Sequence, residues 1–199
     1  MSVARRLDDI QPIHSADVEA FGDVLPVNAW LVDGRVLVDT GLVDTTPELE
    51  AEWPITLRPW PELGPIEAVI NTHLHFDHCG GNRRFAGVPT YVQRAELAAV
   101  SEPDYVVEWV RFDGADYREL AGDAELFDGI SVLSTPGHSP GHQCVLVETD
   151  EGLVVLGGDV TYSMDELVAG GQPNFDRIHA LRPRRVYLAH ASEPWNPRW

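Results

Sequence analysis

Between Asn71 and Asn82 the chain reads Asn-Thr-His-Leu-His-Phe-Asp-His-Cys-Gly-Gly-Asn, which sets His73, His75, Asp77 and His78 within six positions. Neutral imidazole nitrogens and carboxylate oxygens are ligands for zinc-like divalent ions. His73 and His75 are two apart, so on an extended segment both rings leave the same face. Asp77 and His78 are adjacent and should point differently, which suits a second ion better than a shared one. The alternative is a solvated polar loop. That explains a single histidine better than it explains three histidines and an aspartate packed behind a buried-looking strand.

Strands must deliver these side chains. Ala68-Val69-Ile70 is apolar and β-branched, and a strand there would end near Asn71 and present the cluster at its C-terminal edge. The pattern recurs along the chain. Residues 24–32 and 35–39 read as a hairpin about Asp33-Gly34, closing at Asp39-Thr40-Gly41. Asp39 is either a carboxylate near the site or a turn-former, and the local pattern favours the turn-former. Residues 130–135 form a strand that runs into the turn-dense Thr135-Pro-Gly-His138-Ser-Pro-Gly-His142. Residues 144–148 and 153–156 form a second hairpin, ending in Gly157-Gly158-Asp159, and residues 185–188 form a last strand ending in Ala189-His190. Metal-capable residues therefore stand at the ends of four strands. A structural zinc site is closed, local and usually cysteine-rich, whereas a catalytic site keeps one position open to water. Seven such residues are too many for one ion and suit two ions sharing a bridge.

The remaining segments carry weaker patterns. Residues 1–23 hold a weak strand at most. Thr46-Pro47-Glu48 marks a helix start, and the chain is irregular from Trp53-Pro54 to Gly64-Pro65. Residues 88–92 read as a strand, 94–100 as a helix, and 163–181 as one or two helices. The stretch 101–128 carries Tyr105, Trp109, Phe112 and Tyr117, which either cover a pocket or anchor a surface helix to the core.

Composition bounds the classes of function. A chain of 199 residues, 44% of them hydrophobic, fits one domain spanning 1–199. No apolar run reaches the roughly 18 residues a membrane span needs. Met1 to Asp9 has two arginines with no apolar run behind them, which argues against a secretory leader and for a cytoplasmic protein. The formal charge is −18, and all 14 basic residues are arginine, which removes any lysine nucleophile or Schiff base. So acidic a chain is a poor partner for nucleic acid or an anionic membrane. The basic group Arg182, Arg184 and Arg185 reads as a solvated helix-to-strand turn. Cys79 and Cys144 make no metal framework of their own and read as free buried thiols. His14 and His179 stand outside any motif and read as surface. The sequence leaves the oligomeric state open.

Taken together, the motifs resemble the metallo-β-lactamase superfamily. The matching pieces are His73-Leu-His75-Phe-Asp77-His78-Cys-Gly-Gly, Thr135-Pro-Gly-His138, Gly158-Asp159 and Ala189-His190, preceded by Asp39-Thr-Gly41. They fall in the family's order over roughly residues 24–190. The resemblance implies an α/β (α+β) fold, the αββα sandwich of two mixed sheets between helices. It also implies two divalent metal ions, zinc by default, with iron, manganese or cobalt as alternatives. His73, His75 and His138 would hold the first ion, Asp77, His78 and His190 the second, and Asp159 would bridge.

Within the superfamily the chain looks most like the N-acyl homoserine lactone lactonases. The likeness rests on Gly137-His138-Ser-Pro-Gly-His142-Gln143, on Tyr91-Val-Gln-Arg-Ala-Glu96, and on Tyr162, three residues after Asp159. The implied activity is metal-dependent hydrolysis of a small-molecule lactone or ester, with Tyr162 beside the substrate carbonyl and Asp77 passing a proton to the leaving oxygen. Tyr162 also reads as a core residue opening a helix, and His142 as a support rather than a ligand. Two departures stand out. Only 33 residues lie between Asp39 and His73, fewer than in those lactonases, where a longer insertion lines the acyl pocket and the dimer. Ala191 follows His190 where they usually carry an aspartate.

Two other readings use the same fold. A thioester hydrolase of the glyoxalase II type shares the metal residues but uses a C-terminal helical region for glutathione that this sequence does not show. A non-catalytic metal-binding or redox protein of the flavodiiron kind would need an acid in place of one histidine and a flavin domain.

Overall fold

The computed structural model describes residues 5–101 and 105–199, so Met1 to Ala4 and the start of the aromatic stretch, 102–104, lie outside the description. In chain order the elements are β1 (Ile10–Ala20), β2 (Asp23–Val32), β3 (Val36–Val38), α1 (Pro47–Glu52), β4 (Ile55–Leu57), β5 (Ala68–Ile70), α2 (Phe76–Cys79), β6 (Pro89–Gln93), α3 (Arg94–Ala99), α4 (Val107–Val110) and β7 (Asp116–Leu120). There follow β8 (Ala124–Phe127), β9 (Ile130–Ser134), β10 (Gln143–Thr149), β11 (Gly152–Leu156), α5 (Met164–Ala169), α6 (Pro173–Ala180) and β12 (Arg185–Tyr187).

The strands through β7 form one mixed sheet, ordered β4-β1-β2-β3-β5-β6-β7. The rest form a second, ordered β12-β11-β10-β9-β8. Side chains alternate across each strand, so each sheet has two apolar faces to cover. Trp30, Val32, Val38 and Ile70 of the first sheet meet Val132, Val145, Val154 and Leu156 of the second in the central core. The outer face of the second sheet packs Leu133, Val155 and Val186 on Leu167, Phe175 and Ile178 of α5 and α6. Helices α2, α3 and α4 enclose a further cluster around Leu74, Val92 and Val100 beside the first sheet. The result is the sandwich of two mixed sheets flanked by helices that the resemblance implied.

Parallel pairing decides where the chain's chemistry gathers. β3 runs parallel to β5, and β11 runs parallel to β12. Parallel neighbours end at the same sheet edge. Asp39 and Asn71 therefore leave the first sheet side by side, as Gly157 and Leu188 leave the second.

The hairpin about Asp33-Gly34, the helix capped by Thr46 and the later hairpin all form as expected. The Thr46 side chain accepts from Leu49 N at 3.3 Å, and Pro47 opens the helix. The weak strand expected before residue 23 is instead the eleven-residue β1. Its pattern is hidden by a bulge between His14 and Ala16, which shifts the apolar alternation by one. The supposedly irregular run after Pro54 contains β4, which pairs with Ala16–Val18. In the 101–128 stretch the aromatics act as anchors. Trp109 is buried with Ala16, Val18, Val27 and Leu42, and the Tyr117 hydroxyl donates to Val110 O at 2.9 Å.

Candidate metal centre

The six-position cluster leaves β5 at Asn71 and turns into α2. Three ring nitrogens converge: His138 Nε2 lies 3.1 Å from His73 Nε2 and 3.0 Å from His75 Nδ1. A second group joins Asp77, His78 and His190, with Asp77 Oδ2 3.7 Å from His78 Nε2 and 3.3 Å from His190 Nε2. Asp77 and His78, expected to point away from the His73 and His75 pair toward a second ion, both belong to this second group, and one turn of α2 carries them. Asp159 lies between the groups, with Oδ1 3.3 Å from His78 Nε2 and Oδ2 3.2 Å from His190 Nε2 and 3.5 Å from His138 Nε2. All seven expected ligand residues thus lie in one cluster, and three sets of three have donor atoms within 4.8 Å of one another.

Burial and charge divide the imidazoles. Burial and the neighbouring rings His78 and His75 hold His73 well below the ordinary histidine range. Burial, with His75 and His78, also lowers His138. Burial opposes charge on His190 too, but Asp159 and Asp77 outweigh it and push the group up to about 10. His78 rises for the same reason, against its burial, through Asp159, Asp77 and Asp39. Burial raises the carboxyls of Asp159 and Asp77, and the facing imidazoles more than reverse that, holding both below the usual carboxylate range.

A divalent cation fits this donor set. His78 Nε2 and Asp159 Oδ1 are buried and make no hydrogen bond, although they face each other. Hydrogen bonds cannot satisfy three imidazole nitrogens around one point, since each neutral ring carries one proton. Nitrogen and carboxylate donors clustered this way are a zinc-type set, and a cation would be held by imidazole nitrogens that carry no proton.

The support beneath the cluster was partly missed in the sequence. Asp39, read there as a turn-former, is fully buried at φ 57° and accepts at Oδ2 from His78 Nδ1 (2.8 Å) and Thr72 Oγ1 (2.7 Å), and at Oδ1 from Thr72 N (2.7 Å). That bond fixes the His78 tautomer, so Nε2 faces the cluster. The signal was an acid at a strand end, the same signal that marked Asp159. His142 proves to be a support, as expected: its Nε2 accepts from Asp159 N at 3.1 Å, which leaves Nδ1 to donate to Thr135. Burial drives His142 down to about 3, so the ring stays neutral. Gly158 turns the chain at φ 51°, and a Cβ there would lie 2.7 Å from Thr72.

A cavity of about 240 Å³ opens on the cluster. His75, Asp77, His138, Asp159 and His190 form its floor, and Val18, Phe21, Leu25, Trp53 and Phe76 its apolar wall. Tyr162 stands at the mouth, 48% exposed, with its hydroxyl 3.5 Å from His138 Nδ1 and its ring 5.8 Å from Phe21. No wall residue was singled out in the sequence. Cys79 and Cys144 are free and buried, and His14 is exposed beside Asp17. His179, expected at the surface, is half-buried, with its ring tilted against Trp195 at 5.2 Å. Among the described residues no helix is long and apolar enough to cross a membrane.

The family model described as metallo-beta-lactamase superfamily matches residues 22–190. Over 166 aligned positions the chain is 44% identical to an N-acyl homoserine lactonase of Bacillus cereus, covering 71% of this chain and 66% of that one. An N-acyl homoserine lactonase of Bacillus thuringiensis is 34% identical over the same shares. The match therefore spans just under two thirds of these relatives' length. In three dimensions the chain is similar to an N-acyl homoserine lactone hydrolase solved with N-hexanoyl-L-homoserine at its catalytic metal centre. That likeness has a TM-score of 0.74 and 24% identity, and covers 96% of this chain and 94% of the other.

Proposed function

The chain belongs to the metallo-beta-lactamase superfamily, and on that premise we propose that residues 1–199 form a single-domain, cytoplasmic hydrolase of lactones, of the N-acyl homoserine lactone class. The observation that carries this reading is Asp159, buried between two three-residue ligand groups on the floor of a cavity with one apolar wall. The curated relatives act on the same class by name.

In this reading His73, His75 and His138 would hold one divalent ion and Asp77, His78 and His190 a second, with Asp159 within reach of both groups. Zinc is favoured by the nitrogen-rich donor set. Bound ions would supply a Lewis acid and a water acidified toward neutral pH.

The chain's own residues do the rest. The apolar wall from Val18 to Phe76 takes the acyl chain and turns the ester carbonyl toward the floor. The Tyr162 hydroxyl donates to that carbonyl oxygen as negative charge develops on it. Asp77 directs Oδ2 at His78 and His190, which leaves its other oxygen to take the proton that the attacking water loses and to pass it to the leaving alkoxide. Among the described lining residues there is no arginine, so an anionic substrate such as a glutathione thioester meets no side-chain clamp. That favours a neutral lactone.

The test joins metal content to turnover on one purified sample. Elemental analysis should find close to two ions per chain. A panel of homoserine lactones, γ-lactones, aryl esters and S-lactoylglutathione should show preferential opening of acylated homoserine lactones. Two ions with thioester turnover would keep the centre and discard the lactonase. Absence of both would reject the enzyme.

A further inference from the structure

We propose that Glu96 is a positioning residue, whose buried carboxylate clasps the loop of His73 and His75 to the loop of His138 and so sets the spacing of those three imidazoles. The inference rests on the reading of this group as ligands of one cation.

An acidic residue in a helix's first turn ordinarily faces solvent and the helix's own N–H groups. Glu96, third in α3, turns inward and is fully buried. Burying a carboxylate is costly unless it is fully hydrogen-bonded. Its two oxygens divide their work. Oε1 accepts from Leu74 N at 3.0 Å, between His73 and His75, and from the Tyr105 hydroxyl at 2.8 Å. The Tyr105 ring stands edge-on to His75 at 4.9 Å. Oε2 accepts from Ser139 Oγ at 2.7 Å and from Gly141 N at 2.8 Å, both just beyond His138. Four donors use the accepting capacity of one ionised carboxylate.

Gly141 shows how tightly the clasp is drawn. A Cβ there would lie 2.3 Å from Glu96 N and 2.5 Å from Glu96 Cβ, so the His138 loop is pressed against α3 as closely as backbone allows. No bond from Glu96 reaches Asp77, His78 or His190. The clasp therefore serves one ligand group, whereas in the other Asp39 holds His78 and Pro26 O accepts from His190 Nδ1 at 2.8 Å. Glutamine cannot replace it, because its amide would set N–H groups against two of the four donors.

The test starts from full-length protein loaded with cobalt, whose visible absorption reports ligand geometry, and withdraws the metal with graded chelator. Wild type should lose two ions per chain in two steps. Glu96→Gln should weaken one step by about tenfold or more, the range for supports behind ligands, with an altered spectrum and the other step unmoved. Ser139→Ala, which keeps three of the four bonds, should show the same selective change in smaller measure, and it stands in if Glu96→Gln fails to fold. Ile178→Ala, on the buried face of α6, should lower Tm and leave both steps in place. Equal weakening of both steps in proportion to Tm would mean that Glu96 only holds the fold, and unchanged steps would remove the clasp altogether. Failure of wild type itself to hold cobalt would instead reject the metal reading, and the clasp with it.

Discussion

On the floor of the cavity the cluster residues are tied from behind by buried polar partners. On the wall, side chains are held by packing and by one hairpin turn. Asp39 fixes His78, His142 carries Asp159 N, and Thr72 binds Asp39 through both backbone and side chain. Phe21, by contrast, is 79% exposed and sits with Gly22 in a two-residue turn, at φ 56° and 87°, between Ala20 and Asp23. A bulky residue is rare in that conformation. The contrast separates what must be exact, the spacing of charged atoms, from what need only be apolar and near. A floor of this kind tolerates little substitution, whereas the wall can be retuned without dismantling the site.

The sharpest way to break the contrast is at Asp159. Asp159→Asn, with His75→Ala beside it, should cut turnover by more than about a hundredfold, the upper end of what supporting residues cost, while circular dichroism shows the fold retained. Full activity in both would refute the ligand assignment. Next comes Asp39→Asn, which touches no substrate. It should weaken metal binding by about 10- to 100-fold, read by chelator competition. Tyr162→Phe tests the boundary between floor and wall. We expect kcat to fall by about tenfold with KM little changed, less than the loss of a buried oxyanion donor because this hydroxyl faces solvent. On the wall, Trp53→Ala should raise KM for acylated lactones about fivefold, in line with the loss of part of a buried aromatic surface, and leave kcat in place. The smallest effect belongs to Phe21→Asn. It should stabilise the fold by about 1 kcal/mol by relieving the left-handed turn, seen as a higher Tm, and a lower Tm would mean that Phe21 packs more firmly than its exposure implies.

The same division explains what could be read from the chain. Metal-capable residues after apolar β-branched runs are rare by chance, so His73 to His78, His138, Asp159 and His190 stood out without a structure. Asp39 carried the same strand-end signal but also fits the turn at Asp39-Thr40-Gly41, and only the parallel pairing of β3 with β5 shows that its carboxylate meets His78. The wall was illegible for a different reason. It comes from β1, β2, the end of α1 and the start of α2, and β1 itself is masked by the bulge near Ser15. The visible aromatics of 101–128 were the natural candidates for a cover, yet Trp109 and Tyr117 are spent on anchoring their own segment. Aromatic density in sequence did not mark the ring of aromatics around the cavity.

The order of the two sheets along the chain has a consequence in time. The first sheet ends with β7, and the second begins with β8, so the chain completes one layer before it starts the other. During synthesis, at roughly 5–20 residues per second, His73, His75, Asp77 and His78 are made well before Asp159 and His190. Until β11 and β12 dock, the four early residues have no second layer against them, and any ion they attract is held by half a cage. The complete ligand set therefore exists only once the second sheet stands against the first, and a β12 that failed to pair beside β11 would leave His190 out of it.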